Sequence, residues 1–256
     1  MRMNTPRTQP SAPTRLSRVR RSFTNGFDTV LIRALAHELR DPLHAVDNAL
    51  TVLEADAADP RLSGDSRARL MAGMRDAITT MSRACDDLLD IERHAFGALL
   101  PELRVADLAD VVREAVQRAA VAPDRIELDL EPVLVPLDPA MVERIVANLL
   151  QNAERYTPEG SRVTVRVAPD LSGGLLEVRD EGPGVPDSER ARIFEPFQRG
   201  REGRGLGIGL SLVAGFAEAH GGRAWVDARD GGGSAFRVLF PGDFDGVSAD
   251  TATSTS

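Results

Sequence analysis

The chain is 256 residues long, 42% hydrophobic and 27% charged, with a net charge of −8, a globular composition with room for one or two domains. Its longest apolar runs fall far short of the ~20 residues needed to cross a bilayer, so a transmembrane segment is not expected. Cys85 is the single cysteine, which excludes an internal disulfide and suits a reducing, cytoplasmic location. The chain has no cluster of His and Cys that suggests zinc, and no nucleic-acid partner is expected.

Residues 1–23 read as a disordered basic tail. Arg2, Arg7, Arg15, Arg18, Arg20 and Arg21 precede the first acid, among Pro6, Pro10 and Pro13. Two long helical patterns follow, from about Asn25 to Asp56 and from about Ser66 to His94, with a turn at Asp59-Pro60. Two helices of ~30 residues cannot bury broad apolar stripes on each other alone, so the hairpin is expected either to pair with a second hairpin in a four-helix bundle or to pack on the second domain of its own chain. Within the first helix, His37 stands beside Glu38 and five residues before Pro42. A helix-interior proline costs about 3 kcal/mol, so a bend is expected near this pair. A carboxylate that accepts one imidazole proton fixes the tautomer and frees the other nitrogen as a nucleophile. His44 and His94 lack that arrangement and read as structural or solvent-facing.

From Pro101 the pattern changes. Strands are expected at Arg125 to Leu130, Arg162 to Val167, Leu175 to Arg179, Arg223 to Val226 and Ala235 to Phe240. They alternate with helices at about Ala106 to Ala120, Pro139 to Tyr156 and Leu206 to His220, giving an α+β two-layer sandwich. Asp138-Pro139 supplies an N-cap and a first-turn proline. The expected divisions are 1–23, 24–98 for the helical hairpin, 99–242 for the second domain and 243–256 for a disordered tail.

Three further groups carry chemistry. Asn148 and Asn152 share one helix face, and neutral amides there suit a hard cation that also carries phosphate oxygens. Asp180 ends an apolar strand before Gly182 and Gly184, where a carboxylate can accept a hydrogen bond from an exocyclic amine. Gly205, Gly207 and Gly209 open a helix whose N-terminal amides attract phosphate. Taken singly, each has a plain alternative: a polar helix face, an Asp-Gly turn, a glycine loop.

Together, and in order, these segments resemble those of bacterial two-component sensor histidine kinases. His37-Glu38-Leu39-Arg40-Asp41-Pro42-Leu43 is similar to the family's H box. Asn148 to Tyr156 is similar to the N box, and Asp180-Glu181-Gly182-Pro183-Gly184-Val185-Pro186 to the first glycine box. Ile193 to Arg199 is similar to the F box, and Gly205 to Leu210 to the second glycine box. The resemblance covers residues 24 to 241 and implies a dimeric phosphotransfer hairpin followed by an ATP-binding domain of the gyrase and Hsp90 superfamily.

On that resemblance His37 is the phosphoacceptor, Glu38 its base, and Arg199 the group that reaches the terminal phosphate. Asn152 holds Mg2+ and Asn148 supports the phosphate end of the ATP site. Arg155 contacts phosphate and Tyr156 lines the pocket. Asp180, Gly182 and Gly184 take the adenine, Phe194 and Phe197 anchor a lid, and Gly205, Gly207, Gly209 and Leu210 take the phosphates. The implied partners are a second copy of the chain and the receiver domain of a response regulator. No sensor domain is evident, which leaves room for a separate sensor protein. Asp41 departs from the family, which usually carries Thr or Asn there to orient water against the regulator's phosphoaspartate; weak phosphatase activity is therefore expected. A water-using ATPase of the same superfamily needs a carboxylate where this chain has Asn148. The other alternative is a catalytically silent ATP-binding dimeric scaffold.

Overall fold

The computed structural model describes residues 27–58, 61–95, 99–119, 123–198, 207–229 and 231–242, and the two expected tails lie outside them. The chain divides into two compact units between Ala84 and Cys85. No described helix is long and apolar enough to cross a membrane.

The first unit holds α1 (Phe27–Ala58) and most of α2 (Gly64–Ala95), each of 32 residues. The α1 helix continues through Pro42, so the proline does not interrupt it. The turn between the helices is organised by Asp56. Its Oδ1 accepts from the backbone N–H of Leu62 and of Arg61, both at 2.7 Å, and its Oδ2 from Arg67. The two backbone donors hold this carboxyl below the ordinary carboxylate range. Ser63 caps α2 by accepting from the Ser66 N–H. Among described residues of this unit the buried hydrophobic side chains are Ala49, Ala77 and Ala84, whereas Leu43, Met71 and Ile78 are 57%, 59% and 51% exposed.

The second unit begins in the last turns of α2, where Ile91 is buried and Asp87 and Asp90 pair with Arg144. Its sheet has the order β2 (Ile126–Leu130), β4 (Val163–Asp170), β5 (Gly173–Arg179), β7 (Ser234–Pro241), β6 (Arg223–Ala228). The β2–β4 pair is parallel and the others antiparallel. Alternation along each strand sorts the two faces. Val163, Val165, Val167, Leu176, Val178, Phe236, Val238 and Phe240 are buried beneath α3 (Leu108–Arg118), α4 (Pro139–Tyr156) and α5 (Gly209–Ala219). The opposite face carries one cross-strand row in register, Asp129, Arg166, Glu177, Arg237 and Trp225. Glu177 is buried there between Arg179 and Arg237.

Two elements differ from the expectation. Residues 104–107 form β1 (Arg104–Asp107), paired antiparallel with β3 (Leu134–Leu137), so the expected helix from Ala106 starts at Leu108. Asp107 makes that switch, because its Oδ1 accepts from Ala109 N–H at the helix start and from Val133 N–H on the ribbon. The glycine-led helix starts at Gly209 rather than Leu206.

His220, 1% exposed, joins two of the covering helices. Its Nδ1–H donates to the Phe216 carbonyl at 2.7 Å, and its Nε2 accepts from the Asp138 N–H at 3.0 Å. Asp138 in turn caps α4 through Ala140 and Met141. This pattern requires the neutral ring, and burial lowers the pKa from its ordinary 6.5. The unfolded chain therefore binds a proton near pH 6.5 and the folded ring only at lower pH. Its stabilisation is complete above about 6.5 and declines on acidification through the depressed value. Replacing His220 with Ala leaves the buried Asp138 N–H without its acceptor and should cost about 2 kcal/mol. Thermal denaturation at pH 7 and pH 5 checks both points: the midpoint should fall more steeply on acidification in the native chain than in the variant.

Candidate nucleotide-binding site

Along α4, Asn148, Asn152 and Tyr156 recur every four residues and so face one side. At 1.5 Å per residue they span about 12 Å, of the order of an extended nucleoside diphosphate. One end of this row meets the start of α5. The Asn148 amide donates to the Arg144 carbonyl at 2.9 Å, which turns its oxygen towards Gly209. A Cβ on Gly209 would lie 2.7 Å from that oxygen. Leu210 follows in the first turn of α5, half-buried. Gly207 has φ +69°, and a Cβ there would lie 2.5 Å from the Gln198 carbonyl, so only glycine brings this loop against the segment that contains Phe197. Arg199 and Gly205 lie outside the described residues.

At the other end, Gly182 packs on the end of α4, where an added Cβ would lie 2.9 Å from the Tyr156 carbonyl. The Gly182 N–H donates to Asp180 Oδ1 at 2.8 Å, and the Ser234 N–H donates to the same oxygen at 3.2 Å. Asp180 is 5% exposed, and its Oδ2 accepts no hydrogen bond among the described residues. Burial raises the pKa of this carboxyl, opposed by the Gly182 and Ser234 donors and by the charge of Arg229. An acceptor oxygen left open on a largely buried carboxylate is the feature that an exocyclic amine satisfies.

Between the two ends, the Asn152 side chain is half-buried and makes no hydrogen bond among the described residues. Its oxygen is available to a cation. The described residues contain no cluster of three His, Cys, Asp or Glu side chains that could hold a metal ion. A magnesium ion here would therefore depend on the amide together with phosphate oxygens and water. Arg155 is exposed beside this row and Tyr156 half-buried. Gly184 faces the Gly233 carbonyl.

The expected lid anchors divide. Phe197 adopts φ +65°, the one described non-glycine residue with positive φ, and lies beside the Gly207 loop. Phe194 lines an open groove of about 380 Å³ with Arg190, Ala214, Glu218 and Trp225, and none of Asn148, Asn152 and Tyr156 is among its lining residues. His37 and Glu38 sit in α1, and their side chains lie outside the described residues. Sequence reasoning missed Arg229, Gly233 and Ser234, which the structure brings onto Asp180. The glycine run 231–233 was the available signal.

Comparison with known proteins matches both halves. The model of the His Kinase A phospho-acceptor domain covers residues 29–97. That of the histidine kinase-, DNA gyrase B- and HSP90-like ATPase covers residues 137–243. Sensor protein KdpD of Mycobacterium tuberculosis is 35% identical over 224 residues, covering 79% of this chain and 24% of KdpD. The signal transduction histidine-protein kinase/phosphatase MprB of a Mycobacterium species is 36% identical over 224 residues, covering 83% of this chain and 43% of MprB. Among solved structures, full-length ShkA in complex with AMPPNP aligns with a TM-score of 0.57 at 25% identity, over 84% of this chain and 46% of ShkA. The chain thus spans less than half the length of each of these proteins.

The contact between Gly209 and Asn148 has a measurable consequence. Gly209→Ala pushes aside the end of a side chain, not backbone, so the fold should survive. The displaced amide should weaken binding of an adenine nucleotide by roughly tenfold, about 1.4 kcal/mol. Isothermal titration with ADP, alongside the denaturation midpoint, checks this. An unchanged affinity would dissociate Asn148 from the site.

Proposed function

The chain belongs to the sensor histidine kinase family, and we propose that it is an ATP-dependent protein histidine kinase that phosphorylates its own His37 and passes the phosphoryl group to an aspartate of a response regulator. The observation that carries the ATP half of this reading is the buried Asp180 carboxylate with Oδ2 free, at the opposite end of the asparagine row from the α5 N-terminus. Base recognition at one end and phosphate attraction at the other orient a nucleotide along α4. ShkA, similar in fold, is a protein whose structure contains AMPPNP.

In the transfer step one imidazole nitrogen of His37 forms a bond to the γ-phosphorus as the bond to the β,γ-bridging oxygen breaks, and ADP leaves. Glu38 accepts a hydrogen bond from the other ring N–H, which fixes the attacking tautomer. Asn152 would hold a magnesium ion through its side-chain oxygen, and that ion would supply charge neutralisation on the phosphate oxygens. Asn148 and the first amides of α5 hold the phosphates, with Arg155, and Arg199 approaches the transferring group. Preorganised donors of this kind account for most of the acceleration in phosphoryl transfer.

Incubation of the purified chain with γ-labelled ATP tests the reading. Native protein should acquire acid-labile label. His37→Gln should acquire none while keeping ADP affinity within a few-fold, and Asn152→Ala should lose labelling at limiting magnesium. Release of free phosphate without labelled protein would favour a water-using ATPase, which Asn148 in place of a general-base carboxylate argues against. Nucleotide binding with neither product would favour the silent scaffold.

The partner of the hairpin is a second copy of the chain. Among the described residues of the first unit the buried hydrophobic side chains are alanines, while Leu43, Met71 and Ile78 are more than half exposed; this leaves larger apolar side chains of both helices to be covered, which a four-helix bundle does. Light scattering of the full chain at micromolar concentration should give twice the chain mass; a stable monomer would overturn the pairing.

Asp41 is exposed on α1, one turn after His37. MprB bears the name kinase/phosphatase. In this chain a carboxylate at position 41 repels an incoming phosphoaspartate, so dephosphorylation of the regulator should be slow and Asp41→Thr should speed it several-fold. Brisk dephosphorylation by the native chain, slowed in the variant, would contradict this role.

A further inference from the structure

Asp180 is held mainly by a segment distant in sequence. Its N–H donates to the Ser234 carbonyl at 2.9 Å, its Oδ1 accepts from the Ser234 N–H, and its carbonyl accepts from Arg229 Nη1. Arg229 is half-buried at the end of β6. The connection from β6 to β7 then carries Gly231, Gly232 and Gly233 at φ +93°, +100° and +89°. A Cβ on Gly233 would lie 2.0 Å from the Asp180 carbonyl oxygen, so this loop touches the Asp180–Glu181 peptide directly. The Gly232 N–H donates to the Arg229 carbonyl and the Arg229 N–H to the Gly233 carbonyl, which closes the loop on itself.

These contacts fix the peptide that follows Asp180. The Gly182 N–H, two residues on, is one of the two donors to Oδ1, so rotation of that peptide moves a carboxylate donor as well. The guanidinium of Arg229 is therefore coupled, through that peptide, to the direction of Oδ2. Its charge also favours the ionised carboxylate that an amine requires.

We propose that Arg229 is a positioning residue for base recognition: by holding the Asp180 carbonyl it aims Oδ2 and so sets the preference for adenine over purines that carry a carbonyl at the same ring position. The inference rests on Asp180 being the base-reading group. A merely structural role would weaken all nucleotides alike, whereas a positioning role acts on the ratio between them.

The test is calorimetric titration of the full chain with ADP and with inosine diphosphate, which has a carbonyl in place of the amino group. The native chain should prefer ADP by at least roughly tenfold, because a site built to pair with a ligand N–H rejects the analogue that lacks it. Asp180→Asn should abolish the preference. Arg229→Gln should narrow it to about threefold or less, almost entirely by loss of ADP affinity. Arg229→Lys, which keeps the charge with a different reach, should give an intermediate ratio and serves alone if the Gln variant does not fold. Circular dichroism and denaturation midpoints establish folding. No preference in the native chain, or an intact one in Asp180→Asn, would remove the base-reading role and this inference with it. If Asp180→Asn behaves as expected but the folded Arg229 variants keep the native ratio, or lose both ligands equally, the inference on Arg229 alone is overturned.

Discussion

A carboxylate that is 5% exposed at the end of a strand needs donors fixed around it, and the architecture near Asp180 follows from that need. Two backbone N–H groups from different segments converge on Oδ1. Both approaches depend on missing side chains: Gly182 lies against the end of α4, and Gly233 lies against the Asp180 peptide. The desolvation that raises the pKa of Asp180 also makes its second oxygen a strong acceptor for a ligand that brings its own donor. Stability and recognition draw on the same group, with Oδ1 committed to the fold and Oδ2 left to the ligand.

The sheet and its helices hold that arrangement still. Strands β5 and β7 are paired along their length, so Asp180, just beyond β5, and Ser234, at the start of β7, are in fixed register. The α4 helix packs its apolar side, Val142, Ile145, Val146 and Leu149, into the core, which leaves the asparagine row on another side. His220 ties the end of α5 to the cap of α4 across 82 residues, so the two helices that frame the row are locked together at their far ends. On the other face, the row of alternating charge across β2, β4, β5 and β7 pairs within itself rather than exposing an apolar surface.

Much of this was legible in the sequence. The asparagines four apart, the strand-end Asp180 with its glycines and the glycine-led helix carry local spacing signals, and the structure brings Asn148 to Gly209 and Tyr156 to Gly182. Asp138-Pro139 announced the start of α4. What escaped notice depends on contacts between distant residues. Strands β1 and β3 have four residues each and Pro136 lies in one of them, too short for alternation to register. Arg229 lies 49 residues from the carbonyl it holds, and no local pattern distinguishes it from the other arginines. The start of α5 at Gly209 is not legible to within three residues, because glycines before a helix carry the same signal whether they lie in its first turn or in the loop.

The central claim, that an adenine nucleotide lies along α4 with its base on Asp180, is tested most directly by a crystal structure of the full chain with ADP and magnesium. The account expects the adenine amino nitrogen within hydrogen-bonding distance, about 3 Å, of Asp180 Oδ2. It also expects a metal-bound oxygen from Asn152 and phosphate oxygens facing the first amides of α5. A nucleotide bound with its base elsewhere, for example in the groove beside Phe194 and Trp225, would contradict it.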